Sequence, residues 1–204
     1  MPDFTIIAGP NGAGKSTYST ILSSSDALLF DADKVKTIRA KQYPDVPAES
    51  IEMMIDSAYW EVEENAIEGE KDLTVETNLR DDFLINRAQF FKNKGFTTNL
   101  IYMLLPDIET STERVSLRTA LKGHFIDPES VKYNFEQGLI MLKKHFSKFD
   151  NLEILDTSLN DSLAFPKRLL VVKNNKINYF DPTPPFWAKP TIDEIVQKLA
   201  TDQV

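Results

Sequence analysis

A glycine-rich stretch near the start of the chain contains the residues whose chemistry is easiest to assign. It fits the phosphate-binding pattern G-x-x-x-x-G-K-[ST] at every fixed position. In such loops backbone N–H groups point at phosphate oxygens, the lysine reaches the β- and γ-phosphates, and the next hydroxyl ligates Mg²⁺. Lys15 and Ser16 occupy those two positions. The predicted ATP-binding residues are Gly9, Pro10, Asn11, Gly12, Ala13, Gly14, Lys15, Ser16 and Thr17.

The flanking sequence favours a nucleotide site over a chance glycine-rich turn. An apolar run typical of a β-strand, Phe4 to Ala8, precedes the loop, and residues 17–24 can form a helix. A helix that begins after the loop adds partial positive charge where the phosphates bind. Strand, loop and helix together therefore predict a site for a nucleoside triphosphate, with ATP and Mg²⁺ as the expected cofactors.

Composition limits the classes of protein to which the chain can belong. Its 204 residues, 42% of them hydrophobic, are enough for one core, and we expect a single domain over residues 1–204. The net charge of −8 argues against nucleic acid as the main partner. No apolar run is long enough for a membrane span, and Met1-Pro2 leads directly into the first strand, so we expect no signal peptide. The absence of cysteine excludes disulfides and fits a cytoplasmic protein.

Apolar runs that alternate with helical segments predict the fold class. Five buried strands are expected, at residues 4–8, 27–30, 73–77, 97–105 and 152–155. Helices are expected at 17–24, 33–42, 48–69, 81–94, 107–122, 127–146 and 191–199, and a hairpin at 168–172 and 177–180. This order predicts a three-layer α/β fold with a five-stranded, mostly parallel sheet and a C-terminal β-hairpin. Together with the phosphate loop it leads us to expect a P-loop NTPase/kinase fold with a helical lid. Functional residues should lie beyond the carboxyl ends of the strands.

An acidic pair follows the second predicted strand. Asp33 comes three residues after it, where a carboxylate can take a proton from an attacking hydroxyl or hold Mg²⁺ through water. The alternative role for an aspartate here is to cap the helix at 33–42, and Asp31 can fill that role equally well. We therefore assign the catalytic role to Asp33.

A second polar segment follows the third predicted strand. Glu76 ends that strand, and Asn78 and Arg80 follow it in a polar loop. Because this is the functional edge of a parallel sheet, these three are the predicted substrate-binding residues. For Arg80, a surface ion pair with Asp81 or Asp82 is an equally weighted alternative.

The helix predicted at 107–122 has three cations on one face. Arg114, Arg118 and Lys122 are each four residues apart, which places them in register. Cations so placed can stabilise the negative charge that develops during phosphoryl transfer. The alternative interpretation is that the three side chains form a solvent-exposed stripe on the helix. We expect a lid, with Arg114 and Arg118 as catalytic residues. Gly123 and His124 follow as a hinge-like pair, in which the histidine is more often structural than catalytic.

Two further segments each have a functional and a structural interpretation. The turn at 156–158 is either a contact for adenine or an ordinary strand end. Helix 48–69 has an acidic face, expected to be solvated rather than to dock a partner. Its acidic residues are Glu49, Glu52, Asp56, Glu61, Glu63, Glu64 and Glu68. A docking role would make the protein a nucleotide-dependent switch or ATPase binding module that acts through a protein partner, which is the alternative to an enzyme.

The loop and the motifs after it resemble the zeta-toxin family of P-loop kinases. The run from Ile6 to Thr17 is similar to the opening of that family, and Asp31-Ala32-Asp33-Lys34 to its acidic motif after the second strand. The remaining matches, in chain order, are Val75-Glu76-Thr77-Asn78-Leu79, Glu113-Arg114-Val115 with Arg118, Gly123-His124-Phe125-Ile126, and Phe186-Trp187-Ala188. The resemblance covers nearly the whole chain, and the ordered set is more specific than the loop alone.

This resemblance implies an ATP- and Mg²⁺-dependent kinase with an alcohol group as acceptor. Toxin members of the family phosphorylate UDP-N-acetylglucosamine, a UDP-sugar, and an antitoxin is the implied protein partner. By the same resemblance Asp33 would be the base, Arg114 a transition-state arginine and Glu76 a substrate contact. Where the family often has arginines after the lid, this sequence has Lys132-Tyr133-Asn134, which leaves Arg118 or Lys122 to replace the second arginine.

Overall fold

One twisted sheet of seven strands runs through the protein. The computed structural model describes residues 1–122, 126–159 and 165–201. The strands are β1 (Asp3–Ala8), β2 (Leu28–Asp31), β3 (Leu73–Thr77), β4 (Thr97–Leu104), β5 (Asn151–Asp156), β6 (Lys167–Lys173) and β7 (Lys176–Phe180). Their order in the sheet is β2-β3-β1-β4-β5-β6-β7. The first five strands are parallel, which confirms the predicted α/β class.

The predicted strand count of five was too low. The C-terminal hairpin is not a separate unit, because β6 pairs antiparallel with β5 from Asn151↔Lys173 to Asp156↔Lys167. Strand β7 then pairs with β6 and forms the edge of the same sheet. The pairing satisfies the backbone N–H and C=O groups that an open β5 edge would expose. Hydrophobic patterning identified the hairpin but contained no information about which strand it joins.

Seven α-helices occur in the described ranges. They are α1 (Lys15–Leu22), α2 (Ala32–Gln42), α3 (Ala48–Glu68), α4 (Phe83–Asn93), α5 (Ile108–Lys122), α6 (Pro128–His145) and α7 (Lys189–Thr201). Helix α1 begins two residues before the predicted start, directly after Gly14 in its left-handed conformation (φ 86°). The backbone N–H groups of the phosphate loop therefore lie at the helix N-terminus. No helix in the described part of the chain is long and apolar enough to cross a bilayer.

Both faces of the sheet are covered. Alternate residues of a strand point to opposite faces, and in β1 Ile6 belongs to the main core cluster whereas Ile7 belongs to a second one. Tyr102 and Met103 of β4 divide in the same way. The main cluster includes apolar residues of α3, α4 and α7, and the second one packs against Tyr18 of α1. The predicted three-layer arrangement is therefore correct.

The sequence predicts a solvated acidic face on α3, and this prediction is wrong for Glu63. Glu63 is only 6% exposed, because it falls four residues after the buried Tyr59 on the inner side of the helix. Arg87 of α4 pairs with it through two N–H groups, one of them 2.8 Å from the Glu63 carboxylate. The buried charge is thereby neutralised.

Parallel pairing brings the carboxyl ends of the strands to one edge. Asp31 at the end of β2 is the register partner of Glu76 near the end of β3, and Ile7 of β1 lies beside the same glutamate. On the other side of β1, Ala8 pairs with Tyr102 of β4. The segments predicted to be functional therefore converge. The predicted hinge at Gly123 and His124 lies outside the described residues.

We predict that Phe91→Ala will destabilise the protein by about 3–5 kcal/mol. Phe91 of α4 stacks on Phe4 of β1 with ring centroids 4.2 Å apart, and neither ring is exposed. Removing the ring leaves a cavity that rigid strands on one side cannot close. Urea unfolding followed by circular dichroism measures the change. Phe186→Ala is the matched control, since Phe186 is 89% exposed; equal midpoints for both variants would contradict the assignment of the core.

Candidate active site

The phosphate loop lies tightly against strand β4. Gly9 has a φ of +148°, and a Cβ atom built on it would be 2.5 Å from the backbone oxygen of Met103. No side chain fits there, so glycine at this position lets the loop leave β1 in contact with the sheet. At the other end of the loop, the Thr17 and Tyr18 N–H groups donate to the Gly14 carbonyl and close the first turn of α1.

The Lys15 ammonium group connects the phosphate loop with the segment after β3. Its Nζ atom donates to the carbonyl oxygens of Gly9 (2.9 Å) and Pro10 (3.1 Å) and to the side-chain oxygen of Asn78 (2.8 Å). Removal from water lowers the pKa of Lys15 to about 8, although nearby carboxylates, Asp33 foremost, favour its charged form. Asn78, which was predicted to bind substrate, is therefore hydrogen-bonded to the lysine of the phosphate loop.

Ser16 lies between two carboxylates. Its hydroxyl is 2.7 Å from a carboxylate oxygen of Glu76 and 3.3 Å from one of Asp31. Burial, with a contribution from the charge on Asp31, raises the pKa of Glu76 above its usual range, although a hydrogen bond from Ser16 opposes the shift. Two carboxylates and a hydroxyl are the oxygen ligands that Mg²⁺ prefers. The described residues contain no group of three acidic, histidine or cysteine side chains placed to hold a metal.

The two aspartates at the junction of β2 and α2 have different surroundings. Asp31 is the N-cap of α2, since its side chain accepts a hydrogen bond from the Lys34 N–H at 3.2 Å. Asp33 stands in the first turn of that helix, exposed and on the wall of the cleft beside the phosphate loop. Its side chain is therefore not needed as the cap. The charge of Asp33 acts on Lys15 across the cleft.

The two lid arginines differ in their surroundings. Arg114 of α5 donates to the carbonyl oxygens of Thr157 (2.8 Å), Ser158 (2.7 Å) and Gly12 (3.3 Å), so it joins the turn after β5 to the phosphate loop. Arg118, one turn further along, is exposed, lines the cleft and makes no hydrogen bond or ion pair with the described residues. Among the described residues, Arg114 is held by carbonyl oxygens and Arg118 is not.

Other predicted residues lie at the margin of the site. Arg80 lines the cleft but is exposed, and its nearest acidic atom is a carboxylate oxygen of Asp81 at 3.9 Å. Both interpretations of Arg80 thus agree with the geometry. Lys122 ends α5, but its side chain lies outside the described residues, as does His124.

Sequence reasoning missed two anchors of the phosphate loop. The side-chain amide of Asn134 in α6 donates to the side-chain oxygen of the buried Asn11 at 2.8 Å. The Ser111 hydroxyl of α5 donates to the Asn11 backbone oxygen at 2.6 Å. The sequence showed only that Lys132-Tyr133-Asn134 replaces the expected arginines. A polar residue on the buried side of α6 was the one signal that could have found Asn134.

Sequence reasoning also missed an aromatic lining on the far side of the cleft. The cleft has a volume of about 950 Å³ and extends from Lys15 and Ser16 to Trp60 and Phe83. Because Trp60 and Phe83 lie 23 residues apart on different helices, only the tertiary fold brings them together. The cleft therefore has a phosphate-binding side and a side lined by rings.

Fold, phosphate loop and cleft together define a P-loop phosphotransferase of kinase type. The family model described as Zeta toxin matches residues 1–163, so the chain belongs to the Zeta toxin family. An uncharacterised protein of Haemophilus influenzae is 26% identical over 132 residues, 62% of this chain and 88% of that protein. The family implies ATP as the phosphoryl donor.

Two solved structures share the fold over almost the whole chain. A structure of the PezAT chromosomal toxin–antitoxin system of Streptococcus pneumoniae has a TM-score of 0.57 at 18% identity and covers 98% of this chain and 88% of that chain. A structure of AvrRxo1-ORF1:-ORF2 with ATP has a TM-score of 0.66 at 13% identity and covers 96% of this chain and 64% of that chain.

We predict that ATP binding weakens roughly tenfold between about pH 7.5 and pH 9. In the free protein Lys15 has a pKa of about 8, so above that pH it loses the charge that the phosphates require. The bound phosphates raise the pKa of Lys15, and binding above pH 8 therefore takes up a proton. Calorimetry in two buffers of different ionisation enthalpy measures the affinity and the proton uptake. Lys15→Ala should bind more weakly and lack the proton uptake; a flat affinity in the parent protein would overturn the assignment.

Proposed function

We propose that the protein transfers the γ-phosphate of ATP to a hydroxyl group of a small molecule, with residues 1–204 acting as one kinase domain. The observation that carries this proposal is the convergence of Lys15, Ser16 and Asp33 on one cleft that continues beyond the phosphate loop. A switch protein needs the phosphate loop, but it does not need a cleft that continues beyond the loop beside an exposed carboxylate. That arrangement favours an enzyme over the alternative of a nucleotide-dependent binding module.

In the proposed reaction Asp33 accepts the proton of the acceptor hydroxyl. The acceptor oxygen bonds to the γ-phosphorus as the bond from that phosphorus to the β–γ bridging oxygen breaks, and ADP leaves with the electron pair. Lys15 exchanges its carbonyl partners for phosphate oxygens. Arg118 stabilises the charge on the transferring group, and Arg114 joins it if it releases the carbonyls that it now holds.

The metal in this proposal is Mg²⁺, which would neutralise charge on the β- and γ-phosphates. Ser16 would hold it, with Asp31 and Glu76 beside it, directly or through water. Burial is the main cause of the raised pKa of Glu76, and a cation between Glu76 and Asp31 would favour the ionised form of both carboxylates.

The proposal also names a class of acceptor molecule and a protein partner. Family membership makes a UDP-sugar such as UDP-N-acetylglucosamine the first acceptor to assay, with Glu76, Asn78 and Arg80 as its proposed contacts. The toxin–antitoxin system among the similar structures supports an antitoxin as a protein partner. Neither nucleic acid nor a membrane has a place in the proposed reaction, which we place in the cytoplasm.

We expect Asp33→Asn to lower kcat by roughly 10²–10⁴-fold while ATP affinity changes less than about threefold. The amide cannot take the hydroxyl proton but keeps the shape of the side chain. Acceptor-dependent ADP formation over a panel of hydroxyl compounds, UDP-sugars included, measures the rate. Asp45→Asn, an exposed aspartate in the loop after α2, is the matched control. Unchanged turnover in Asp33→Asn, or no phosphorylated product from any acceptor, would refute the kinase proposal.

We expect Asp31→Asn and Glu76→Gln each to raise roughly tenfold or more the Mg²⁺ concentration needed for half-maximal ATP binding. Asparagine keeps the capping bond to α2, so loss of charge is the main change. Titration of Mg²⁺ at fixed ATP, followed by calorimetry, measures the effect. Glu49→Gln, an exposed carboxylate in the first turn of α3, should leave the curve unchanged. If all three variants bind Mg²⁺·ATP like the parent, the metal lies elsewhere.

A further inference from the structure

Helix α6 contacts both of the segments that the Lys15 ammonium group joins. Its buried face includes Asn134 and Gly138, which lie one turn apart. Asn134 donates to the Asn11 side chain of the phosphate loop at 2.8 Å, and Gly138 lies against Asn78 in the segment after β3. Lys15 itself donates to carbonyl oxygens of the phosphate loop and to Asn78. The helix therefore forms a second bridge between the same two segments.

The contact at Gly138 leaves no room for a side chain. A Cβ atom built on this glycine would lie 2.7 Å from the Asn78 backbone oxygen and 2.7 Å from the Tyr102 hydroxyl of β4. Ordinary van der Waals contacts of a Cβ atom begin near 3.4 Å, so both distances are too short. Glycine inside a helix lowers stability relative to alanine, because it loses more backbone entropy on folding. The close approach of α6 to Asn78 gives a physical reason for glycine here.

A methyl group at position 138 would displace Asn78 rather than the helix. Leu142, one turn further along α6, is 0% exposed and belongs to the main core cluster, so it holds the helix in place. Asn78 is not held by the sheet, since the register of β3 with β1 ends at Thr77. The next residue, Leu79, is buried and already has a left-handed backbone with a φ of 56°. The displacement therefore falls on Asn78.

A displaced Asn78 would weaken its hydrogen bond with Lys15. The Asn78 side-chain oxygen is 2.8 Å from the Lys15 Nζ atom, and N–H···O hydrogen bonds weaken beyond about 3.2 Å. A shift of several tenths of an ångström is therefore enough to lose much of this bond. In the proposed reaction, phosphate oxygens replace the two loop carbonyls at the ammonium group, while Asn78 remains bonded to it. The amide then determines where the lysine points when ATP is bound.

We infer that Gly138 is a positioning residue for Lys15. Because it has no side chain, α6 holds the Asn78 backbone where the Asn78 side-chain oxygen accepts a hydrogen bond from the lysine. The inference rests on the proposed kinase function and adds to that site a residue that acts through Asn78. The sequence motifs of the site do not include Gly138, since only the packing of α6 against the segment after β3 brings it there.

A double-mutant cycle on ATP binding tests this inference. Calorimetry with Mg²⁺ and a non-hydrolysable ATP analogue compares the parent protein, Gly138→Ala, Asn78→Ala and the double variant. We expect each single substitution to weaken binding roughly fivefold or more, and the double variant to bind within about twofold of Asn78→Ala. The inference is overturned if the two losses multiply, or if Gly138→Ala binds like the parent.

The pH dependence of binding separates positioning from a loss of stability. A hydrogen-bond acceptor at the ammonium group favours its charged form, so losing Asn78 lowers the pKa of Lys15 further below its ordinary value. The pH above which ATP binding weakens should therefore move down in Gly138→Ala and in Asn78→Ala, and by the same amount in both. A variant that is merely less stable would keep the pH profile of the parent, and that result would contradict the positioning role.

Tyr102→Phe supplies the matched control. The Tyr102 hydroxyl is buried and has no hydrogen-bond partner among the described residues, so this variant should bind the analogue like the parent. It also removes one of the two contacts that a Cβ atom at position 138 would make. The comparison is therefore repeated in this background, which keeps it possible if Gly138→Ala does not fold alone.

The loss caused by Gly138→Ala should persist in the Tyr102→Phe background, because the contact with the Asn78 backbone remains. Full recovery of binding there would show that crowding at Tyr102 causes the loss, and it would overturn the inference. None of these measurements depends on turnover. A parent protein that binds ATP but phosphorylates no acceptor would refute the kinase proposal, whereas the binding cycle alone decides the role of Gly138.

Discussion

The placement of the Lys15 ammonium group is the interaction on which the site depends. It is bonded to two carbonyls of its own loop and to Asn78 after β3, so it fixes the distance between the ends of two neighbouring strands. Burial makes the charge costly, and three carboxylates within electrostatic reach offset part of that cost. The lysine is therefore partly satisfied before nucleotide binds. Phosphate oxygens have to replace neutral carbonyls, an exchange that favours the charged ligand because charge-assisted hydrogen bonds are stronger.

The phosphate loop is also anchored by the two helices between β4 and β5. Ser111 and Arg114 of α5 and Asn134 of α6 all bond to loop residues, two of them to Asn11. Both helices belong to the region after β4 that includes the predicted lid. A displacement of α5 towards a bound nucleotide would therefore strain bonds to the loop that binds it. These hydrogen bonds, each worth about 1 kcal/mol, link the position of α5 to that of the phosphate loop.

Short sequence patterns were enough to predict part of this site. The phosphate loop is a contiguous pattern that the sequence shows directly. Asp33 lines the cleft, as its place after a buried strand predicts, and its catalytic role stays a prediction. The Ser16–Glu76–Asp31 cluster could not be predicted from a local pattern, because it depends on the register that pairs Asp31 of β2 with Glu76 of β3. Hydrophobic patterning predicts that strands exist but not their register or order, which is also why the hairpin was not placed in the sheet. The aromatic lining required the packing of α3 on α4, which no local pattern specifies.

The set of side chains that line the cleft follows from this architecture. The phosphate loop and α5 contribute Lys15, Arg114 and Arg118 near the centre of the sheet, whereas α3 and the segment between β3 and α4 line the cleft towards the β2 edge. Helix α3 has a long acidic outer face, and the same helix presents Trp60 and Asp56 to the cleft. Substitutions on α3 can therefore change the charge and shape of this part of the cleft without altering the phosphate loop. Family membership accounts for the phosphate loop and the phosphoryl donor, whereas in the proposed reaction the acceptor would be selected by the side chains that line the rest of the cleft.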